Sequence, residues 1–586
     1  MKNDYMEFHF RHSVLQESPA AFSEPVAVIQ TDRLDQVLAC LRAVEKWTEK
    51  GYYAAGYVSY EAAPAFNPAF QVNPDPKWPL VFFGIYTGPQ RVTLKKSGQA
   101  GKEVKWAPDT SRENYDKAIH RIHEEIAEGN TYQVNYTMRL SAKDAGDGYA
   151  LFQQLKASQQ ADFCAYLHFG TRSILSASPE CFFAWDGQRI MTRPMKGTRP
   201  RGLTVDKDTE NKKDLQNAKK DQSENVMIVD LLRNDLGRIA KTGSVKVTKL
   251  FDIETYPTVF QMTSTIEAET KEGTTLTDIF KALFPCGSVT GAPKISTMAL
   301  IRQLETSPRE VYCGAIGYIE PGNHAVFNVP IRTVLIDENG QSAVYGAGSG
   351  ITWDSTSEAE YDEVFNKAQV LRAENIRPSF DLLESLRLEN GRISLMDKHV
   401  SRMKRSAGYF QYPIDGSAIR QALYHEASRM PNGLYKIRLL LDSAGDMHTE
   451  TKPIKQIEDG QEVVLASEPV FSQNLFLYHK TTFREVYDSR RRSGFFDTLL
   501  WNEKGNVTEF TNGNVVCQIS GRFFTPPVED GLLAGTFRET LVGSGVAIVR
   551  SLSIQDVKEA DAVWFVNSVR GWVPVELIED KHEAGM

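Results

Sequence analysis

The sequence predicts a chain of mixed strands and helices divided into two large modules, and three observations carry that expectation. At 586 residues the chain exceeds what one hydrophobic core serves, since a compact unit takes about 150 residues. The apolar period switches repeatedly between two and 3.6 residues, the spacings of strands and of helices. The pattern breaks at Asn375-Ile376-Arg377-Pro378-Ser379, where Pro378 ends a helical stretch. The boundary between modules 1–377 and 378–586 is placed there.

Residues 1–105 read as mainly β, with short alternations such as Gly56-Tyr57-Val58-Ser59-Tyr60 between turn-rich pieces at 73–79 and 95–102. The remainder of the first module, 106–377, carries longer elements. Thr110 and Glu113 form a capping-box pattern, and Tyr115, Ile119, Ile122 and Ile126 recur at helical spacing until Gly129. From Thr131 to Leu140 the period becomes two. Tyr132, Val134, Tyr136, Met138 and Leu140 take one face, and Gln133, Asn135, Thr137 and Arg139 the other. Helices are expected over 221–239 and 357–374. Beyond 379 a fresh alternation begins, with turns at 502–505 and Asp530-Gly531.

Composition narrows the function. With 41% apolar and 24% charged residues and a formal charge of -8, the chain looks like an ordinary globular protein with no long-range attraction to nucleic acid or an acidic membrane. No apolar run of membrane length and no signal-like N-terminus is present, so a cytoplasmic protein is expected. Six scattered cysteines lack any C-x-x-C pair. None sits in the tight Gly-rich turn that a glutaminase nucleophile needs, so no such activity is indicated.

Several polar, Gly- and Pro-marked strings then stand out: GNTYQVNYT (129–137), SPECF (178–182), RPMKGTRPRG (193–202), FPCGSVTGAPK (284–294), VYCGAIGY (311–318) and GAGSGITWDSTSEAEYDE (346–363). On the helix from 221, Glu224 shares a side with Ile228 and Leu231, which places an acid on an apolar stripe. Glu360 and Glu363 share a helix face. Taken singly, Glu224 reads as half of a buried ion pair, the Glu360/Glu363 pair as a solvated face, and Glu180 as a helix-start residue.

Together the ordered strings resemble the chorismate-utilising enzymes. The resemblance implies a two-sheet α+β fold and a Mg²⁺ ion held by Glu224, Glu360 and Glu363 against a substrate carboxylate. It also implies that Tyr312 and Arg332 hold the second carboxylate, aided by a backbone nest at Gly346, Ala347 and Gly348. Within the family, lysine at position 196 is the mark of aminodeoxychorismate synthases. The resemblance makes Lys196 a nucleophile, Thr198 a substrate contact and Glu180 the acid for the departing hydroxyl. Gln133 stands where isochorismate-type enzymes carry a lysine base, and Gln261 where anthranilate synthases carry a histidine.

The second module holds LLESLRLENGRI (382–393), DKHVSRMKRSA (397–407), LYHKTTFREVY (477–487), LLWNEKGNVTEFTNGNVV (499–516) and GLLAGTFRE (531–539). These resemble class IV aminotransferases of fold type IV, most closely the aminodeoxychorismate lyases, and imply a two-subdomain α+β fold with pyridoxal 5'-phosphate. Lys480 matches the Schiff-base lysine and Glu509 the partner of the pyridine nitrogen. Thr536 and Phe537 match the phosphate-binding helix start, and Arg402 the charged clamp. The expectation is a bifunctional enzyme that converts chorismate and ammonia, supplied by a separate glutamine amidotransferase subunit, into p-aminobenzoate and pyruvate. The resemblance allows a homodimer through the second module. Anthranilate synthase joined to an amino-acid transaminase, and a silent second module, stand as alternatives.

Overall fold

A computed structural model describes residues 4–10, 18–92, 104–143, 145–339, 341–371 and 378–578. The turn-rich piece at 95–102, the last residues of the helix expected to 374 and the break at 375–377 lie outside the described residues. Compact units group as Met1–Pro200 with Lys212–Arg377, and Arg201–Asn211 with Pro378–Met586. The segment 201–211, assigned from sequence to the first module, thus groups with the second unit.

The first unit is built on two ten-stranded sheets. One runs through Gly291–Ala292, Gln133–Ala142, Ser342–Ile351, Thr333–Asp337, Arg172–Ser178, Phe163–Phe169 and Tyr5–Phe10. The other runs through Met195–Pro200, Val259–Glu269, Arg189–Arg193, Cys181–Asp186, His324–Asn328, Ala315–Glu320, Tyr53–Val58 and Val81–Tyr86. A core of Phe8, Phe22, Tyr57, Ile316, Tyr318 and Val326 joins their facing sides. Helices cover the outer sides, Arg112–Ala127 and Gly148–Gln159 on the first sheet and Val37–Glu49 and Lys219–Gly237 on the second.

The helix Val37–Glu49 interrupts an N-terminal part otherwise built mainly of strands, and the sequence reading did not single it out. Val37, Leu41, Val44 and Thr48 bury one face at helical spacing. The next helix starts one residue later than its capping pattern suggested. Ser111, in extended conformation, accepts the Asn114 amide, while the Thr110 hydroxyl turns to Asp109 at 2.9 Å. In strand Gln133–Ala142 the alternation holds, but its polar face is buried as well. Thr137 and Arg139 bond Glu305, and Asn135 bonds the Val289 carbonyl.

The second unit has two parts. A four-stranded sheet of Arg392–Ile393, Leu382–Glu389, Leu434–Leu441 and Met447–Pro453 packs Leu382, Leu386, Leu388, Ile437 and Leu439 against helices Met396–Phe410 and Gly416–Arg429. The other part closes on itself. Strands Gly513–Ile519, Ala562–Asn567, Gly571–Leu577, Gln461–Leu465, Asp497–Trp501 and Asn506–Phe510 pair in that order, and the last pairs back to the first. Val463, Leu499, Val507, Phe510, Val515 and Phe565 contribute to its core.

Candidate active sites

In the first unit the strand carrying Lys196 is deformed where the lysine sits. Met195 pairs with Thr263 and Thr198 with Gln261, and the register slips between them, a bulge that re-aims the intervening side chains. Gly197 sits there at φ +90, and a side chain on it would come within 2.9 Å of Asp221. Gln261 clamps the bulge by donating to the Gly197 carbonyl and accepting from the Thr198 hydroxyl, both at 2.9 Å. The Lys196 amine is lowered from the usual lysine range, first by desolvation and then by Lys367, against the opposing pull of Glu224.

Glu180 lies between strands Arg172–Ser178 and Cys181–Asp186 and is 2% exposed, which corrects a helix-start reading of Ser-Pro-Glu. Burial raises its carboxyl to about 7, with Ser288 and Lys196 opposing. One Glu180 oxygen and both polar atoms of the Gln133 side chain are buried without a hydrogen-bond partner. Such atoms are costly unless a ligand meets them. Gly350 keeps this space open: a Cβ there would lie 2.8 Å from Lys196 Nζ and against the Gln133 amide. Lys196, Glu180 and Gln133 therefore form a buried polar cluster.

The expected metal set is only partly assembled. Burial raises the Glu224 carboxyl, and the charge of Glu360 adds to the rise. Glu360 accepts hydroxyls from Ser349 and, at 2.6 Å, from Ser355. Glu363 instead pairs with Lys367 at 2.6 Å, four residues on, with its side chain half exposed. Among the described residues no three His, Cys, Asp or Glu side chains converge as a metal site. Two carboxylates still suit Mg²⁺, which retains water and substrate oxygens in its other positions.

Arg332, at φ +53, reaches Gln159 and the Lys367 carbonyl. Its charge helps to lower Glu363, after Lys367 and Lys196. Tyr312 is buried beside Gly346, with the Arg139 guanidinium 5.3 Å from its ring centre. Gly346, Ala347 and Gly348 do not form a nest. They are extended residues paired with Arg139, Met138 and Thr137, so successive amides point to opposite sides. Lys367, which donates to the Gly348 carbonyl at 2.9 Å, was missed in the sequence. Its position four residues after Glu363 was the available signal.

In the second unit the chain at Lys480 is pinned to strand Leu382–Glu389, because the Leu383 amide donates to the Lys480 carbonyl at 2.9 Å. Desolvation, then Arg402 and Arg484, lower the Lys480 amine to about 7. Glu509 is buried and raised to about 7 by desolvation. It accepts from the Tyr487 hydroxyl at 3.0 Å, the Leu533 amide at 3.0 Å and Asn514 at 3.1 Å.

Helix Thr536–Gly543 begins at Gly535 with no side-chain cap, leaving first-turn amides for an anion. Phe537 sits partly buried against Trp572. The Thr536 hydroxyl faces His399 Nε2 at 3.2 Å, and His399 Nδ1 lies 2.6 Å from Glu384. Burial lowers the His399 pKa, so the neutral ring donates from Nδ1 to Glu384 and accepts from Thr536 at Nε2. Arg402 donates to both Glu384 oxygens, at 2.8 and 2.6 Å. The buried Glu384, overlooked in the sequence, is held at about 2 by Arg402 and His399 against desolvation. A buried acid, an enclosed amine, an uncapped helix start and an arginine fit pyridoxal 5'-phosphate.

Residues 5–373, more than half of the chain, match the model of the chorismate binding enzyme family. The chain belongs to that family. Residues 381–578 match the amino-transferase class IV model. Aminodeoxychorismate synthase component 1 of Escherichia coli (strain K12) is 43% identical over 262 residues, which is 45% of this chain and 57% of that protein. Anthranilate synthase component 1 of Aquifex aeolicus is 35% identical over 45% of this chain and 53% of its own length. The chain thus spans a little over half of these relatives. The solved anthranilate synthase component I of Streptococcus pneumoniae superposes with a TM-score of 0.52 at 25% identity, covering 62% of this chain and 95% of that one. Among the described residues no helix is long and apolar enough to cross a membrane.

Proposed function

We propose that the chain makes p-aminobenzoate in two steps, with chorismate aminated in the first unit and pyruvate eliminated in the second. The observation that carries the first step is the Lys196–Glu180 pair, an amine pushed down and a carboxyl raised to about 7. Both shifts run toward a free amine beside a protonated acid, the forms that nucleophilic addition and protonation of a departing hydroxyl need. Lys196 adds at ring C2 as Glu180 protonates the C4 hydroxyl, which leaves as water. Ammonia from a separate glutaminase subunit then adds at C4 and expels the lysine. Mg²⁺ on Glu224 and Glu360, with Glu363 as a further or water-bridged ligand, would neutralise one substrate carboxylate. Arg332 and Tyr312, with single amides of Gly346–Gly348, face the other, and Thr198 keeps its place through Gln261.

In the second unit Lys480 would hold pyridoxal 5'-phosphate, Glu509 its ring nitrogen, and Arg402, Thr536 and Phe537 its phosphate. The cofactor supplies an electron sink. Once the substrate amine has displaced it, Lys480 would be free to take the C4 proton, the enolpyruvyl C–O bond would break with its electrons leaving on oxygen as pyruvate departs, and the ring would become aromatic. A homodimer through this unit and a cytoplasmic location accord with the reading.

The test is purified full-length protein with chorismate, Mg²⁺ and ammonium salt, with products separated chromatographically. Equal amounts of p-aminobenzoate and pyruvate are expected, and Lys480→Ala should accumulate aminodeoxychorismate instead. Anthranilate as the main product would refute the first half. Normal p-aminobenzoate from Lys480→Ala would refute the second.

A further inference from the structure

One face of the four-stranded sheet in the second unit is used by nothing described so far. Leu386, Leu388, Ile437 and Leu439 point to the helices, so their neighbours in sequence point the other way. On that face the register sets Arg387 directly opposite Lys436, and Lys436 directly opposite Lys452. Three cations stand abreast across three strands, an arrangement that is unfavourable by itself.

Most of the surrounding charge has a partner. Arg387 bonds the half-exposed Glu389 and the Val569 carbonyl, and Arg438 bonds Glu450. Among the described residues the Arg570 guanidinium bonds the Lys455 carbonyl, and Arg484 bonds the Thr511 carbonyl and Asn512 Oδ1, with Asp488 at 4.0 Å. Lys436, partly buried in the centre of the row, has no hydrogen bond or ion pair among the described residues. Burial, followed by Arg438, Arg570, Arg484 and Lys452, pushes its amine below the usual lysine range. A half-enclosed cation ringed by cations and lacking an acid is a standing electrostatic cost that an anion would remove.

The cluster is joined to the candidate catalytic lysine in two ways. Arg484 follows Lys480 by four residues and depresses both amines. Arg387 lies on the strand whose Leu383 amide bonds the Lys480 carbonyl. We propose that Lys436, with Arg387, Arg570 and Arg484, forms a subsite for the carboxylates of a dianionic substrate beside Lys480. One cation suffices for the single carboxylate of an ordinary amino acid, whereas this row suits two. The inference rests on the reading of residues 378–586 as a lyase of a dicarboxylate.

Isophthalate, a dicarboxylate with no amine, is the probe, titrated into cofactor-loaded full-length protein while the cofactor absorbance is followed. Saturable perturbation is expected in the unaltered protein. Lys436→Gln and Arg570→Gln should each weaken it at least about tenfold, and Lys436→Arg should stay within about threefold. Benzoate should bind more weakly than isophthalate. Without ligand, Lys436→Gln should melt no lower than the parent, because it removes an unpaired charge. An unchanged isophthalate midpoint in Lys436→Gln, benzoate binding as tightly as isophthalate, or a lowered melting temperature would each overturn the subsite. Failure of the underlying reading looks different: isophthalate binding still depends on Lys436, but added aminodeoxychorismate gives no p-aminobenzoate. Normal turnover with an unchanged KM in Lys436→Gln would spare the lyase reading and sink the subsite.

Discussion

Replacing Glu384 by glutamine keeps the shape of the side chain and removes the charge that faces Arg402 and His399. Its carboxyl is lowered from 4.5 to about 2 in the folded chain. Each pKa unit is worth about 1.4 kcal/mol, so the charged form contributes about 3 kcal/mol to the stability of its surroundings. Loss of one partner from a buried pair costs about 3–5 kcal/mol, the same order. Because the folded pKa lies below the unfolded one, this stability is fully present above about pH 4.5 and is lost as the pH falls toward 2. Hydrogen exchange in the full chain, read on peptides from 382–389 and 396–410, isolates the effect from the first unit. Protection there should fall by about two orders of magnitude at pH 7 in Glu384→Gln, with the difference from the parent shrinking as pH is lowered toward 3. A loss below about threefold at pH 7, or a difference independent of pH, would refute the reasoning.

Further outcomes follow from the same geometry. Lys196→Ala should abolish aminodeoxychorismate formation, checked by product mass spectrometry, while added aminodeoxychorismate is still converted to p-aminobenzoate. Gly350→Ala should displace the Lys196 amine and the Gln133 amide. A shift of about 1 Å lowers a rate by about 10²-fold, so synthase turnover should fall by that order with the second step unaffected. Uptake of pyridoxal 5'-phosphate by the apo chain needs the free Lys480 amine. With its pKa at about 7, the rate should climb by about tenfold from pH 6 to pH 8 and then level off. A rate that still rises steeply above pH 8 would return Lys480 to an ordinary lysine.

The periodic elements were legible because burial follows spacing. The helix read over 221–239 is observed over Lys219–Gly237, and the strand read over 131–140 over Gln133–Ala142. Val37–Glu49 was equally legible in principle, but short alternating pieces on both sides drew the N-terminal part toward β. The position of Lys196 followed from a motif, whereas the bulge that aims it depends on register against Val259–Glu269 and leaves no trace in local sequence. The metal role of Glu363 came from the resemblance, since its face alone reads as solvated. Lys367 on the same face pairs with it, a contact that only side-chain geometry reveals. The tie of Glu384 to Arg402 and His399 likewise spans a strand and a helix that sequence order does not bring together.

The Gln261 clamp carries a lesson about what a divergent residue signifies. Its carboxamide donates to the Gly197 carbonyl and accepts from the next residue's hydroxyl, so both of its polar atoms are tied to the strand that carries the lysine. An imidazole offers its two nitrogens along fixed, diverging directions and cannot grip adjacent points of one strand in this way. A glutamine-to-histidine exchange here would therefore loosen the mounting of the nucleophile before it supplied any proton. At this position, a difference that looks like a choice of acid or base is a choice of scaffolding.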